Sequence, residues 1–128
     1  MDTSSEKTTL IAGREVRGTS VYNTAGDSLG SIDDVMLDKK SGKVAYAVMS
    51  FGGFLGMGNH YHPLPWSTLK YDTRKGGYVV DLSKSQLEGA PHYSQGTDPG
   101  WGSRDYENRL HTYYGVGPYW DSMNPPTD

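Results

Sequence analysis

The sequence contains no cysteine, which excludes disulfides, thiol catalysis and thiolate metal sites but leaves the compartment open. No run approaches the roughly 20 apolar residues that a transmembrane helix needs. The opening stretch, MDTSSEKTTLIAG, lacks the basic and apolar regions of a signal peptide. The expectation is a soluble, cytoplasmic protein without a membrane span. Positive charge is also scarce. Residues 1–90 carry ten Lys/Arg and ten Asp/Glu, and residues 91–128 two Arg against five acids, which gives the net charge of −3. A nucleic-acid binder shows a basic face. Here only Lys39, Lys40 and Lys43 gather, at a hairpin tip where lysines ordinarily serve solubility, so charge disfavours nucleic acid as a partner. With 34 % hydrophobic residues and 17 Gly in 128 positions, a turn-rich β fold with a modest core is favoured over a helical bundle, and the length fits one domain with extensions.

The organising stretch is Gly26 to Phe51, which reads as two strands joined by a tight turn. Val44, Tyr46 and Val48 alternate with Ala45, Ala47, Met49 and Phe51, the period of two of a strand. The segment Asp38 to Gly42 reads as its hairpin turn. Asp38 accepts from the backbone ahead, and Gly42 supplies the positive φ of a turn that closes with a bulge; Gly26 stands at the matching place in the preceding turn. On the incoming strand Leu29, Ile32, Val35 and Leu37 are expected inward, and the gap of three between Ile32 and Val35 predicts a β-bulge at Asp33-Asp34. The outgoing strand is apolar on both faces. In an antiparallel sheet one face is normally wet, so the outside of this strand needs a cover, either the rest of the chain or a second copy of it.

Elsewhere the signals are local. Residues 1 to about 9 are polar, and Leu10, Ile11 and Ala12 form a short apolar patch expected to tuck against the sheet. The segment Gly52 to Gly58 holds four glycines in seven residues but matches neither the dinucleotide fingerprint nor the phosphate loop with its Lys-Ser/Thr. It reads as an apolar hairpin loop whose Phe54, Leu55 and Met57 suggest a contact surface. His60 and His62, two apart on a strand, share a face as metal ligands can. A third ligand would have to come from a distant residue, so no metal or other cofactor is assigned and these two stand as candidates only. Pro63 and Pro65 are expected to forbid a central ladder position, with Trp66 and Leu69 then buried at the barrel end. Further strands are expected at Lys70 to Asp72 and Tyr78 to Leu82, followed by a capping box from Ser83 to Gln86 and a helical stop at Gly89 and Pro91.

In this order the motifs GTSVY at Gly18, GDSLGSIDDV at Gly26, the turn from Asp38 to Gly42, VAYAV at Val44, PWSTL at Pro65 and YVVDL at Tyr78 resemble the PRC-barrel family over roughly Val16 to Pro91. The resemblance implies an all-β fold, a small closed or nearly closed antiparallel barrel of about six strands, and the capping box adds a short helix after the last one. It also implies a scaffolding and protein-interaction role rather than catalysis, since family members share no catalytic residue that could be carried over. The family's namesakes are the photosynthetic reaction-centre H subunit and a ribosome-maturation factor. This chain lacks the membrane helix of the first and the N-terminal barrel of the second, and so looks like a stand-alone bacterial member.

Three parts are therefore expected: a polar segment 1–15, the barrel 16–91 and an aromatic extension 92–128. The extension holds seven of the 15 aromatics, more than a disordered tail would carry. Between Ser103 as cap and Gly115 as stop, Tyr106, Leu110, Tyr113 and Tyr114 fall on one helical stripe, and Asp105 is spaced to pair with Arg109. The functional expectation is a non-enzymatic interaction module. It is expected to be homodimeric, or to bind a still unidentified protein, through Ala45, Ala47, Met49, Phe51, the Gly52 to Gly58 loop and the tail stripe. An RNA- or ribosome-linked factor and a metal protein built on His60 and His62 are the alternatives.

Overall fold

The computed structural model describes residues 10–51 and 60–123. The strands Ser20–Asn23 (β1), Ser28–Leu37 (β2), Val44–Phe51 (β3), His60–Pro65 (β4), Lys70–Asp72 (β5), Gly77–Val80 (β6) and Tyr93–Ser94 (β7) form one sheet in the order β5-β6-β1-β2-β3-β4-β7. Helices occupy Gly13–Val16 (α1), Lys84–Glu88 (α2), Arg104–Tyr114 (α3) and Tyr119–Met123 (α4), with a 3-10 turn at Trp66–Thr68. None of them is long and apolar enough to cross a membrane.

The expected six-stranded antiparallel barrel is corrected on two points. Among the described residues the sheet has seven strands, and its hydrogen bonding runs open from β5 to β7. It is also mixed, because β6 lies parallel to β1 with Val21 opposite Tyr78 and Asn23 opposite Val80. A parallel pair needs a long crossover, and β2 to β5 supply it. The inner face of this curved sheet holds the principal core of Val21, Leu29, Ile32, Ala47, Met49, Leu64, Tyr78, Val80 and Leu87, with Val16 from α1 and half-buried Trp66 and Leu69 at its margin.

The β2–β3 hairpin follows local chemistry. At its turn the Ser41 amide donates to Asp38 Oδ2 over 2.8 Å, the Gly42 amide donates to the Asp38 carbonyl over 2.8 Å, and Gly42 takes φ 77°; Gly26 closes the preceding turn at φ 94°. In the ladder Ile32 faces Met49 and Asp34 faces Val48, which leaves Asp33 as the bulge. A second irregularity pairs Met36 with Tyr46 and Leu37 with Val44, so Ala45 is skipped. Leu37, expected inside, is the last residue of β2 beside the hairpin turn and is 57 % exposed. At the other end of β2, Gly30 lies so close to β3 that an added Cβ would run into the Ser50 carbonyl.

The prolines of β4 belong to the ladder with β3, where Pro63 faces Val48 and Pro65 faces Tyr46. They are tolerated because β7 pairs only with His60 and Tyr61, so nothing on that side asks the prolines for an N–H. At the N-terminal side Leu10 is exposed, Ile11 is partly so, and Val16 enters the core in their place. The capping box forms, with the Gln86 amide donating to Ser83 Oγ over 3.1 Å and the Ser83 amide to Gln86 Oε1 over 2.8 Å. On α3, Ser103 Oγ accepts from the Asp105 amide, and Gly115 ends the helix in the left-handed region. Segment 1–9 and the loop carrying Phe54, Leu55 and Met57 lie outside the described residues.

Replacing Gly30 with Ala should cost about 1–3 kcal/mol by overpacking. Gly102, whose added Cβ would meet nothing within 4 Å, serves as control. Urea unfolding of the two variants measures the difference.

Candidate functional site

Which face of β3 points inward decides the rest. Ala47 and Met49 lie in the principal core, and Phe51 packs against it. Three of the four strand residues expected to form an outer contact surface are therefore interior. Period-two spacing defines two faces without saying which one is outside, and the alternate set with the larger Tyr46 is the outer one. Ala45 joins that outer side because the ladder skips it, and it packs with Tyr46, Tyr106 and Leu110 in a second cluster. Of the two covers expected for β3, the chain's own tail is the one present.

The tail arrives through β7 and α3. Tyr106 and Leu110 of the predicted stripe are buried, Tyr114 packs against both clusters, and Tyr113 reaches sideways to α2, where its hydroxyl donates to the Gln86 carbonyl. Trp101 and Tyr119 complete the enclosure, their ring centroids 5.5 and 5.6 Å from that of Tyr46. The expected pair of Asp105 with Arg109 is replaced. Arg109 lies over the Tyr106 ring, and the ion pair is Arg104 Nη1 with Glu107 Oε2 at 3.5 Å.

A tyrosine buried in such a seam needs partners for its hydroxyl. Tyr46 is 1 % exposed, and its hydroxyl donates to Glu107 Oε1 over 3.0 Å while His111 Nε2 stands 2.7 Å away. The phenol has one proton. Since that proton goes to the carboxylate, His111 must carry its own on Nε2 and donate it to the phenol oxygen. Burial, reinforced by the Glu107 charge, pushes the Tyr46 pKa up, and burial pushes that of His111 down. The pair is thus a protonated phenol and a neutral imidazole. Arg104 closes the end of the seam with its guanidinium 3.7 Å over the Trp120 ring and a 3.2 Å hydrogen bond to the Tyr119 hydroxyl. What this arrangement does is fasten α3 and α4 to β3. Sequence reasoning missed Glu107 and His111, although both stand one position beyond Tyr106 and Leu110 and four apart, on the flank of the predicted stripe.

The histidines separate. His60 is exposed, while His62 is buried against Phe51 and has Nδ1 unpartnered. The distant third imidazole exists. His92 stacks on His60 at 4.7 Å and on His62 at 5.1 Å between centroids, its Nδ1 3.0 Å from the Ala90 carbonyl. The rings lie face to face rather than converging, and among the described residues no group of three or more His, Asp or Glu is arranged to hold a metal ion. Burial, followed by its two neighbours His92 and His60, lowers the His62 pKa from 6.5 to about 4.

The sequence model of the family described as PRC-barrel domain matches residues 9–87. No protein with a curated description matches the chain. Among solved structures, one described as a 16S ribosomal RNA processing protein, RimM, from Pseudomonas aeruginosa is similar at 19% identity and a TM-score of 0.40, over 62% of this chain and 48% of that one. The chain thus spans about half the length of that protein.

Two outcomes are expected. Tyr46→Phe should cost about 1–3 kcal/mol in urea unfolding, because it strands a buried carboxylate and imidazole; the cost should be non-additive with that of Glu107→Gln. On acidification the unfolded chain protonates His62 near pH 6.5, whereas the folded chain resists until about 4. The contribution of neutral His62 is therefore complete above about pH 7 and falls by ~3 kcal/mol by pH 4. His62→Phe should flatten that part of the stability curve, read from unfolding midpoints across the range.

Proposed function

Given that this chain belongs to the PRC-barrel domain family, we propose that it is a non-catalytic protein-interaction module, a scaffold that acts by associating with itself and with a further protein. The observation that carries the reading is the seam beneath the tail. Tyr46, Glu107 and His111, a phenol, a carboxylate and an imidazole within hydrogen-bond distance, are buried and bonded to one another. Their protonation states are the ones that hold two surfaces together. A phenol whose pKa is raised and whose proton is committed to a carboxylate is a poor nucleophile.

Apolar groups, by contrast, stand at the periphery. Tyr71 is 50 % exposed and packs on Tyr78 of the principal core, and Tyr113 is 42 % exposed and tied to α2 through the Gln86 carbonyl. Rigid display of a few aromatic anchors is what a recognition surface requires.

Light scattering of the full chain over a concentration series from micromolar to about millimolar is the test, the range in which small interfaces associate. A mass rising towards twice 14.1 kDa is expected. A mass of 14.1 kDa at every concentration would remove self-association from the reading.

A further inference from the structure

The open edge of the sheet at β5 carries features that fit one partner. Among the described residues β5 is hydrogen-bonded on one side only, to β6, through Lys70 with Val79, Tyr71 with Tyr78 and Asp72 with Gly77. The Asp72 carbonyl turns towards β6 and accepts from the Gly76 amide over 2.9 Å. Backbone groups alternate in direction along a strand, so the N–H and C=O of Tyr71 face away from the sheet. The edge thus offers one donor and one acceptor at its central residue.

Its side chains add direction. Trp66 packs on Tyr78 at 5.3 Å and Tyr78 on Tyr71 at 5.1 Å between centroids, both edge to face. This row of rings leaves the core and stops at a tyrosine that is half exposed. On the opposite face of the strand Lys70 and Asp72 flank it, one of each sign.

We infer that β5 is the self-association edge, pairing antiparallel with β5 of a second copy about a two-fold axis through Tyr71. The inference rests on the interaction-module reading and specifies its surface. In that arrangement each Tyr71 donates its N–H to the other's carbonyl. Two-fold symmetry puts Lys70 of each copy opposite Asp72 of the other, so both charge pairs are complementary, and the rings continue as Trp66, Tyr78, Tyr71 and then the same row reversed. A copy of this chain is the partner that meets all three conditions at once. With only three residues in the strand, the association is weak and reversible.

The test uses the full chain in light scattering or sedimentation equilibrium over the same concentration series, with thermal melting of every variant to establish that it is folded. Lys70→Glu sets like charges opposite each other at two places and should weaken dimerisation by about tenfold; Asp72 is left unchanged because its Oδ1 accepts from the Arg74 and Lys75 amides in the turn. Tyr71→Pro removes the outward N–H without touching the bonds to β6, and it should abolish the dimer while the fold remains. A dimer whose dissociation constant is the same in wild type, Lys70→Glu and Tyr71→Pro overturns the assignment to β5 and leaves self-association standing on another surface. A wild-type chain that stays monomeric to about millimolar overturns both the assignment and the self-association it rests on.

Discussion

A strand with apolar side chains on both faces has to be covered twice, and the architecture around β3 answers that requirement. Its inner face, with Ala47 and Met49, is closed by the curvature of its own sheet and by Leu87 of α2. Its outer face presents Tyr46, a side chain too large to leave bare and too polar to cover with hydrocarbon alone. Burying the phenol contributes a few kcal/mol only if its hydroxyl finds a partner. Glu107 and His111 bring that partner on a helix whose apolar stripe does the covering. Hydrophobic burial and polar fastening thus fall on the same strand position, and the docking site of α3 and its register follow from it.

Much of the fold was legible because its signals are short-range. The Asp38 to Gly42 turn, the bulge at Asp33 and the capping box of Ser83 with Gln86 are each decided within a few residues. The order of such motifs was enough to suggest the family. What escaped was decided at a distance. The parallel pairing of β1 with β6 leaves no trace in either strand, since Val21 and Tyr78 would alternate equally well in an antiparallel ladder.

The site shows the same division. The tail stripe could be found from helical periodicity, but the side of β3 that it meets could not, because both faces of the strand are apolar and fit either orientation. His60 and His62 were visible as a pair, while His92 joins them only through the β4–β7 ladder, in which His60 faces Ser94. Leu37 was misread because alternation says which face a residue takes and not how far the core reaches, and Leu37 ends β2 beside the turn.

The distance along the chain between Tyr46 and its partners also sets a timetable. The hydroxyl of Tyr46 is separated from Glu107 by 61 residues and from His111 by 65. At about 5–20 residues per second of synthesis, β3 exists for several seconds before anything that covers its outer face has been made. The inner core can close earlier, since β1 to β6 and α2 all precede the tail. A nascent chain whose inner core has closed keeps one apolar face of β3 bare until α3 has been made.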